Sequence, residues 1–166
     1  PRILISNSAA IGFKWNRKKQ FVGEGLNWRS TNVTAGSRII EIDGLWNASF
    51  NNCTFDIDGN SNVDIFNLLP GDNGTDKWGT YYIVCNNMKT AGGRYVFNMT
   101  GSSFGSEYIT NIWANDCWST SGVTFVNATN VINFSCKGLV LDSFSSHAFN
   151  LTGCTNFSLG LHEISI

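Results

Sequence analysis

Apolar and polar residues alternate in short runs along most of this chain, and the runs repeat one pattern. Ala148-Phe149-Asn150-Leu151-Thr152-Gly153-Cys154-Thr155-Asn156-Phe157-Ser158-Leu159 places Phe149 and Leu151 on one face of a strand, then turns a small-residue corner. A second strand follows with Phe157 and Leu159 on one face. Val96 to Gly101 matches Ala148 to Gly153 almost letter for letter, and Ile65-Phe66-Asn67-Leu68 gives the strand again. The segments around Ile5, Ile42 and Val126 repeat strand, corner and strand. With Leu151 as reference, the anchors are Ile5, Ile42, Leu68, Met99, Val126 and Leu151, spaced by 37, 26, 31, 27 and 25 residues.

A helical repeat would show a 3.6-residue rhythm, and a propeller blade would need about 40 residues. A unit near 25 residues with a period of two holds three short strands and three corners. The pattern therefore predicts an all-β fold, a right-handed parallel β-helix (solenoid) of about six coils over residues 1–166. The six anchors should form one inward stack, with successive coils about 4.8 Å apart. The longer spacings, 31 and 37, are read as loops pushed out at a corner. The insertions Pro70–Gly79 and Ser102–Glu107, each directly after its anchor, are expected to leave the same corner on adjacent coils. Lys14 to Lys19 reads as a solvated basic corner that could also grip an acidic polymer, and Gly23 to Ser37 as irregular. Strand pattern begins at Ile3 and Ile5 and ends at Ile164 and Ile166. A solenoid normally carries polar caps, so the expectation is a segment of a longer protein. Its open strand edges would be covered by association, with a homotrimer expected.

Composition narrows the function classes. The net charge of −1 gives no electrostatic case for nucleic acid or an anionic membrane, and no apolar run approaches the ~20 residues that span a bilayer. Five cysteines cannot all pair within one chain. Cys53, Cys85 and Cys117 recur at equal spacing, open to a metal column, a disulfide ladder or a stack of buried thiols. The absence of any Cys-x-x-Cys pair favours the last. No metal or cofactor is expected. Nine Asn-x-Ser/Thr triplets would be glycan acceptors in a secreted eukaryotic protein. Several of them, Asn98 and Asn150 among these, recur at one phase of the repeat, which points instead to amide ladders.

Candidate chemistry gathers on the long loop. Asp72, Asn73, Asp76, Lys77 and Trp78 fit a glycan site, in which an aromatic ring lies under the sugar and polar groups take its hydroxyls. Glu107, from the neighbouring insertion, would join Asp72 and Asp76 in that role. Asp72 to Asp76 faintly resembles a calcium loop without its twelve-residue pattern. A plain polar turn held down by Trp78 is the plainer alternative. Glycoside hydrolysis needs two carboxyls about 5 to 9.5 Å apart. Asp56 and Asp58 alternate on one strand, Asp116 lies near a corner, and Asp58 shares the phase of Asp142. Asp56, Asp58 and Asp116 are weak catalytic candidates, since outward Asp residues are usually solvated. Arg38 and Arg94 open their strands, where a lyase could use them as base or clamp and a plain β-helix would simply solvate them.

The strands at 97–101 and 149–153 and the stretch Gly44 to Ile57 resemble the parallel β-helix, pectate-lyase-like superfamily, in particular bacteriophage tailspikes. The resemblance implies a trimeric, extracellular protein of the virion tail that binds, and in some cases degrades, host-surface polysaccharide. A secreted polysaccharide lyase or glycoside hydrolase is the alternative, and a structural shaft or glycosylated ectodomain a further one. No catalytic motif of the family maps onto a position here.

Overall fold

The computed structural model describes residues 2–5, 11–31, 34–57, 62–71, 78–102 and 108–165. All regular structure among them is strand. β1 (Arg2–Ile5) precedes the first coil, formed by β2 (Ile11–Lys18), β3 (Phe21–Glu24) and β4 (Asn27–Ser30). The second coil is β5 (Ser37–Leu45), β6 (Ala48–Asn51) and β7 (Thr54–Asp56), and the third β8 (Val63–Leu69), β9 (Thr80–Asn86) and β10 (Lys89–Ala91). β11 (Tyr95–Thr100), β12 (Ile109–Asn115) and β13 (Trp118–Thr120) make the fourth. The last two coils are β14 (Thr124–Thr129) with β15 (Val131–Asp142), and β16 (Phe149–Thr152) with β17 (Thr155–Ser165). The long β15 and β17 each run round a corner and so serve two faces. Each strand pairs in parallel with its counterpart one coil away. The first sheet holds six strands, β2 to β16, so the chain makes about five turns between them. This is a parallel β-helix, as the alternation predicts.

Register corrects two anchors. Trp15, Ile42, Leu68, Met99, Ala128 and Leu151 lie in one column. Ile5 instead pairs with Ser30 on the third face, and Val126 belongs to the adjacent column with Phe97 and Phe149. Trp15 escaped notice because cations surround it, so its strand looked like a charged corner. That corner is β2, and the stretch read as irregular contains β4. Lys14 is outward on β2, with its ammonium 2.8 Å from Glu41. Inside, rings from all three faces meet. Phe66 of the first sheet lies 5.0 Å from Phe50 of the second, 5.2 Å from Phe55 of the third and 5.2 Å from Phe97 one coil above.

Amide ladders run along the axis at fixed phases. On the first sheet Asn67 donates to Glu41, Asn98 to Asn67, Asn127 to Asn98 and Asn150 to Asn127, over 2.8–3.1 Å. At the corner between second and third sheets, the left-handed positions are Gly25, Asn52, Asn87, Asp116 and Gly138. There Asn87 donates to Asn52, and Asn52 to Glu24. The nitrogen that would carry an N-linked glycan at Asn52, Asn98, Asn127 and Asn150 is the one donating in these ladders. Asn32 and Asn73 lie outside the described residues.

Cys53, Cys85, Cys117 and Cys136 are buried free thiols. Cys85 and Cys136 both lie in register with Ala114, whereas Cys53 and Cys117 precede third-sheet strands, so equal spacing in sequence is not one column in space. Burial pushes all four thiols up, Cys117 to about 11 and Cys85 well above its usual range. Protonated thiols in an apolar interior behave as small hydrophobes. Among the described residues no group of three or more His, Cys, Asp or Glu side chains is placed to hold a metal ion.

Candidate functional site

Two polar or aromatic constellations stand out, on different faces. The first lies on the outward side of the first sheet. Glu41, 2 % exposed, takes Lys14 Nζ at 2.8 Å and Arg38 Nη1 at 2.6 Å. Asp64 is fully buried and takes two parallel hydrogen bonds from Arg94, each 2.8 Å, plus the Asn98 amide at 3.1 Å. Arg38 and Arg94, read from sequence as strand-start solvation, are instead the partners of buried carboxylates. The carboxylates here are spent on cations, which makes the cluster a fold device.

Burial pushes the Glu41 carboxyl up, but the Lys14 hydrogen bond, the Arg38 and Lys14 charges and the Asn67 amide outweigh it and hold it below the usual carboxylate range. Lys14 is raised in turn, chiefly by its hydrogen bond to Glu41. A carboxyl lowered in the folded state stabilises the fold above its unfolded pKa, about 4.3, and that stability is lost as pH falls through the folded value. Urea midpoints should therefore hold from neutral pH to about 5 and decline below about 4. Glu41→Gln should start lower and flatten that decline.

The second constellation sits at the corner between first and second sheets. Two glycines set it up. Gly44 and Gly71 both have positive φ, 79° and 78°, and a Cβ on Gly71 would come 2.6 Å from the Gly44 Cα. The Gly44 amide donates to Thr80 Oγ1 at 3.2 Å, which fastens this corner to the start of β9. Close approach of two coils lets Trp46 and Trp78 stack, 4.7 Å between centroids and 29° between planes. A Cβ on Gly79 would meet the far end of the Tyr81 ring, so any larger residue there would require that ring to shift. Trp46, Tyr81 and Tyr82 wall a cavity of 280 Å³. Tyr82 also stacks on Trp113 of the next coil at 6.0 Å and 21°. Farther up the same corner, a hollow of 140 Å³ is lined by Ser102, Tyr108, Asn130, Ile132, Gly153 and Thr155. Burial, with Tyr108 nearby, raises the Tyr81 phenol, so it stays a hydrogen-bond donor near neutral pH. This is a row of rings edged by hydroxyls and amides, with Trp46 and Tyr82 among its exposed members.

No family model, curated protein or solved structure matches the chain.

Of the residues singled out from sequence, Trp78 lies in the aromatic row, its indole against Trp46. Asp58, Asp72, Asp76 and Glu107 lie outside the described residues. Asp56 ends the third-sheet strand β7, with Arg29 Nε 3.6 Å away, and Asp116 takes a left-handed turn between second and third sheets. Neither borders the cavity. The residue in the column of Asp142 is Asp56 rather than Asp58, through Ala91 and Thr120. The two are three coils apart, about 14 Å at the strand spacing, beyond the reach of one glycosidic bond. The sequence reading missed Trp46, Tyr81, Tyr82 and Trp113. Of these, Trp113 carried a signal, an aromatic at the outward phase between Ile112 and Ala114, where alternation calls for a polar side chain.

Proposed function

We propose that this β-helix is a receptor-binding segment of the phage tailspike kind, and that the aromatic row at the first-to-second corner receives a polysaccharide. The observation that supports this best is the set of rings themselves. Trp46 and Tyr82 are about half exposed, backed by Trp78 and Trp113 and flanked by two hollows on one corner. Sugar rings present C–H faces that lie on such platforms, while their hydroxyls find amides and phenols at the edge. The fold supports the reading because a stack of rigid coils holds distant rings in fixed relation. Host-surface polysaccharide as ligand, a homotrimer and a place on the virion tail belong to the same proposal, on the strength of the sequence resemblance.

Trp78→Ala tests it. Loss of one aromatic stack is about 1 kcal/mol or somewhat more, so binding to a responsive polysaccharide in a capsular and lipopolysaccharide panel should weaken roughly tenfold. Thermal stability should hardly change, because Trp78 lies against another surface ring rather than in the core. A sharp drop in melting temperature with binding spared would make Trp78 a packing residue. Reducing ends assayed in the same incubations separate binding from cleavage.

A further inference from the structure

We infer that Tyr82 is the specificity-determining residue of this face, kept in a strained backbone conformation to present a ring to an uncharged polysaccharide. The inference rests on the polysaccharide reading above and names the class of polymer. Its starting point is a backbone anomaly repeated on four successive second-sheet strands. Tyr82, Asn111, Asn133 and Asn156 each break their strand with a left-handed residue, at φ 58°, 60°, 57° and 56°. The ladder steps over them together, pairing Thr110 with Tyr81 and Ile132, then Ile112 with Ile83 and Phe134.

Three of the four are Asn, the non-glycine residue that best tolerates this region. They also gain from it, since Asn156 donates to Asn133 at 2.9 Å and Asn133 to Asn111 at 3.1 Å. Each ladder amide still has an N–H and a lone pair free of the ladder. At the bottom of the column stands a tyrosine, for which the left-handed region is costly and where the amide ladder stops. Folding alone would place Asn there too. What Tyr82 supplies instead is a ring 54 % exposed, stacked on Trp113 and walling the cavity with Trp46. A strained residue retained at a ligand-facing cavity points to a use for its side chain.

The polymer class follows from the described strands on which that ring lies. Neither β9 nor β12 contains an Asp, Glu, Lys or Arg. The outward column through these strands reads Ser49, Val84, Trp113, Ser135. An anionic sugar laid on these rings would lose water without gaining a counter-charge from the strands beneath it. Among the described residues, the basic ones of this corner, Arg17 to Lys19, lie on the coil below Trp46, and Arg17 Nε donates to the Gly71 carbonyl at 3.2 Å.

The test uses neutral glucan, galactan and mannan, each beside its own carboxymethyl derivative, with affinity electrophoresis of the wild-type chain, Tyr82→Asn and Tyr82→Phe. The expected result is retardation by a neutral polymer, weaker retardation by its carboxymethyl form, and little dependence on salt. Tyr82→Asn should reduce retardation at least tenfold while raising the melting temperature, because the strain is relieved and the amide ladder gains one rung. Tyr82→Phe should bind within a factor of a few of wild type. Salt-sensitive binding of the carboxymethyl form alone would transfer the site to Arg17, Lys18 and Lys19, overturning this inference but leaving polysaccharide binding intact. A lower melting temperature for Tyr82→Asn with unchanged retardation would make Tyr82 a packing residue and overturn it as well. Retardation by none of the six polymers would overturn both readings.

Discussion

Asp64→Ala is expected to destabilise the fold by about 3 kcal/mol, at the lower end of what removing one partner from a buried ion pair costs. Asp64 is fully buried, and its carboxylate is what Arg94 and the Asn98 amide are organised around. Without it the guanidinium loses two short hydrogen bonds and Asn98 loses one acceptor. Arg94 is a third exposed and can turn partly to water, which keeps the loss from being larger. The decisive comparison is the double variant Asp64→Leu, Arg94→Met. Replacing a buried pair by apolar side chains is often neutral, so the double variant should recover most of the loss in urea unfolding at pH 7. If it is as unstable as the sum of the two single variants, the pair is not coupled as the geometry requires.

Phe66→Ala should cost about 3–5 kcal/mol, the range for deleting a buried aromatic from a core that cannot collapse around the hole. Phe66 is fully buried where three faces meet, edge-on to Phe50 and Phe55 and stacked on Phe97 at 13°. Backbone ladders fix the spacing of the coils, so the cavity cannot close by sliding one coil onto the next. Position along the solenoid matters as well, because each coil contacts only its neighbours. Phe149 occupies the same first-sheet column family in the last coil but is only half-buried. Phe149→Ala should therefore cost less than half as much by thermal or urea unfolding. Equal losses at the two positions would contradict a core built coil by coil.

The architecture was legible in the sequence because a β-helix must reuse one cross-section. Phe97-Asn98-Met99-Thr100 and Phe149-Asn150-Leu151-Thr152 carry the same phase because their backbones occupy the same place two coils apart. The amide ladder is the structural counterpart of that recurrence. Register was less legible where the pattern allows two answers. Val126 and Ala128 are both inward on one strand, and alternation alone cannot say which sits over Met99. In the first coil, Trp15 lies among Lys14, Asn16, Arg17 and Lys18, so charge concealed an inward residue.

The candidate site was legible in part for a related reason. Trp78 and the emergence of both long loops at one corner could be inferred from loop length and composition. Trp113 was marked by its outward phase alone, and Trp46, Tyr81 and Tyr82 by nothing, since an aromatic next to apolar neighbours reads as core by default. Tyr82 is the sharpest case. Regular alternation from Thr80 puts it on the same side as Thr80 and Val84, whereas a left-handed residue breaks that count and turns the ring to solvent. Backbone conformation of that kind leaves no trace in hydropathy. The buried charges are a third case. Arg38 and Glu41 sit three residues apart, a separation that in a strand suggests opposite faces, yet the Arg38 guanidinium reaches Glu41 at 2.6 Å.

Side-chain footprinting by hydroxyl radicals, with and without the polysaccharide that the chain binds best in the panel, tests the central assignment most directly. Trp46, Tyr82 and Trp113 should be protected by the polymer. Trp118, 41 % exposed on the third sheet, should be oxidised at the same rate with and without it. Protection of Trp118 with Trp46 and Tyr82 left open would place the polysaccharide on another face and contradict the account.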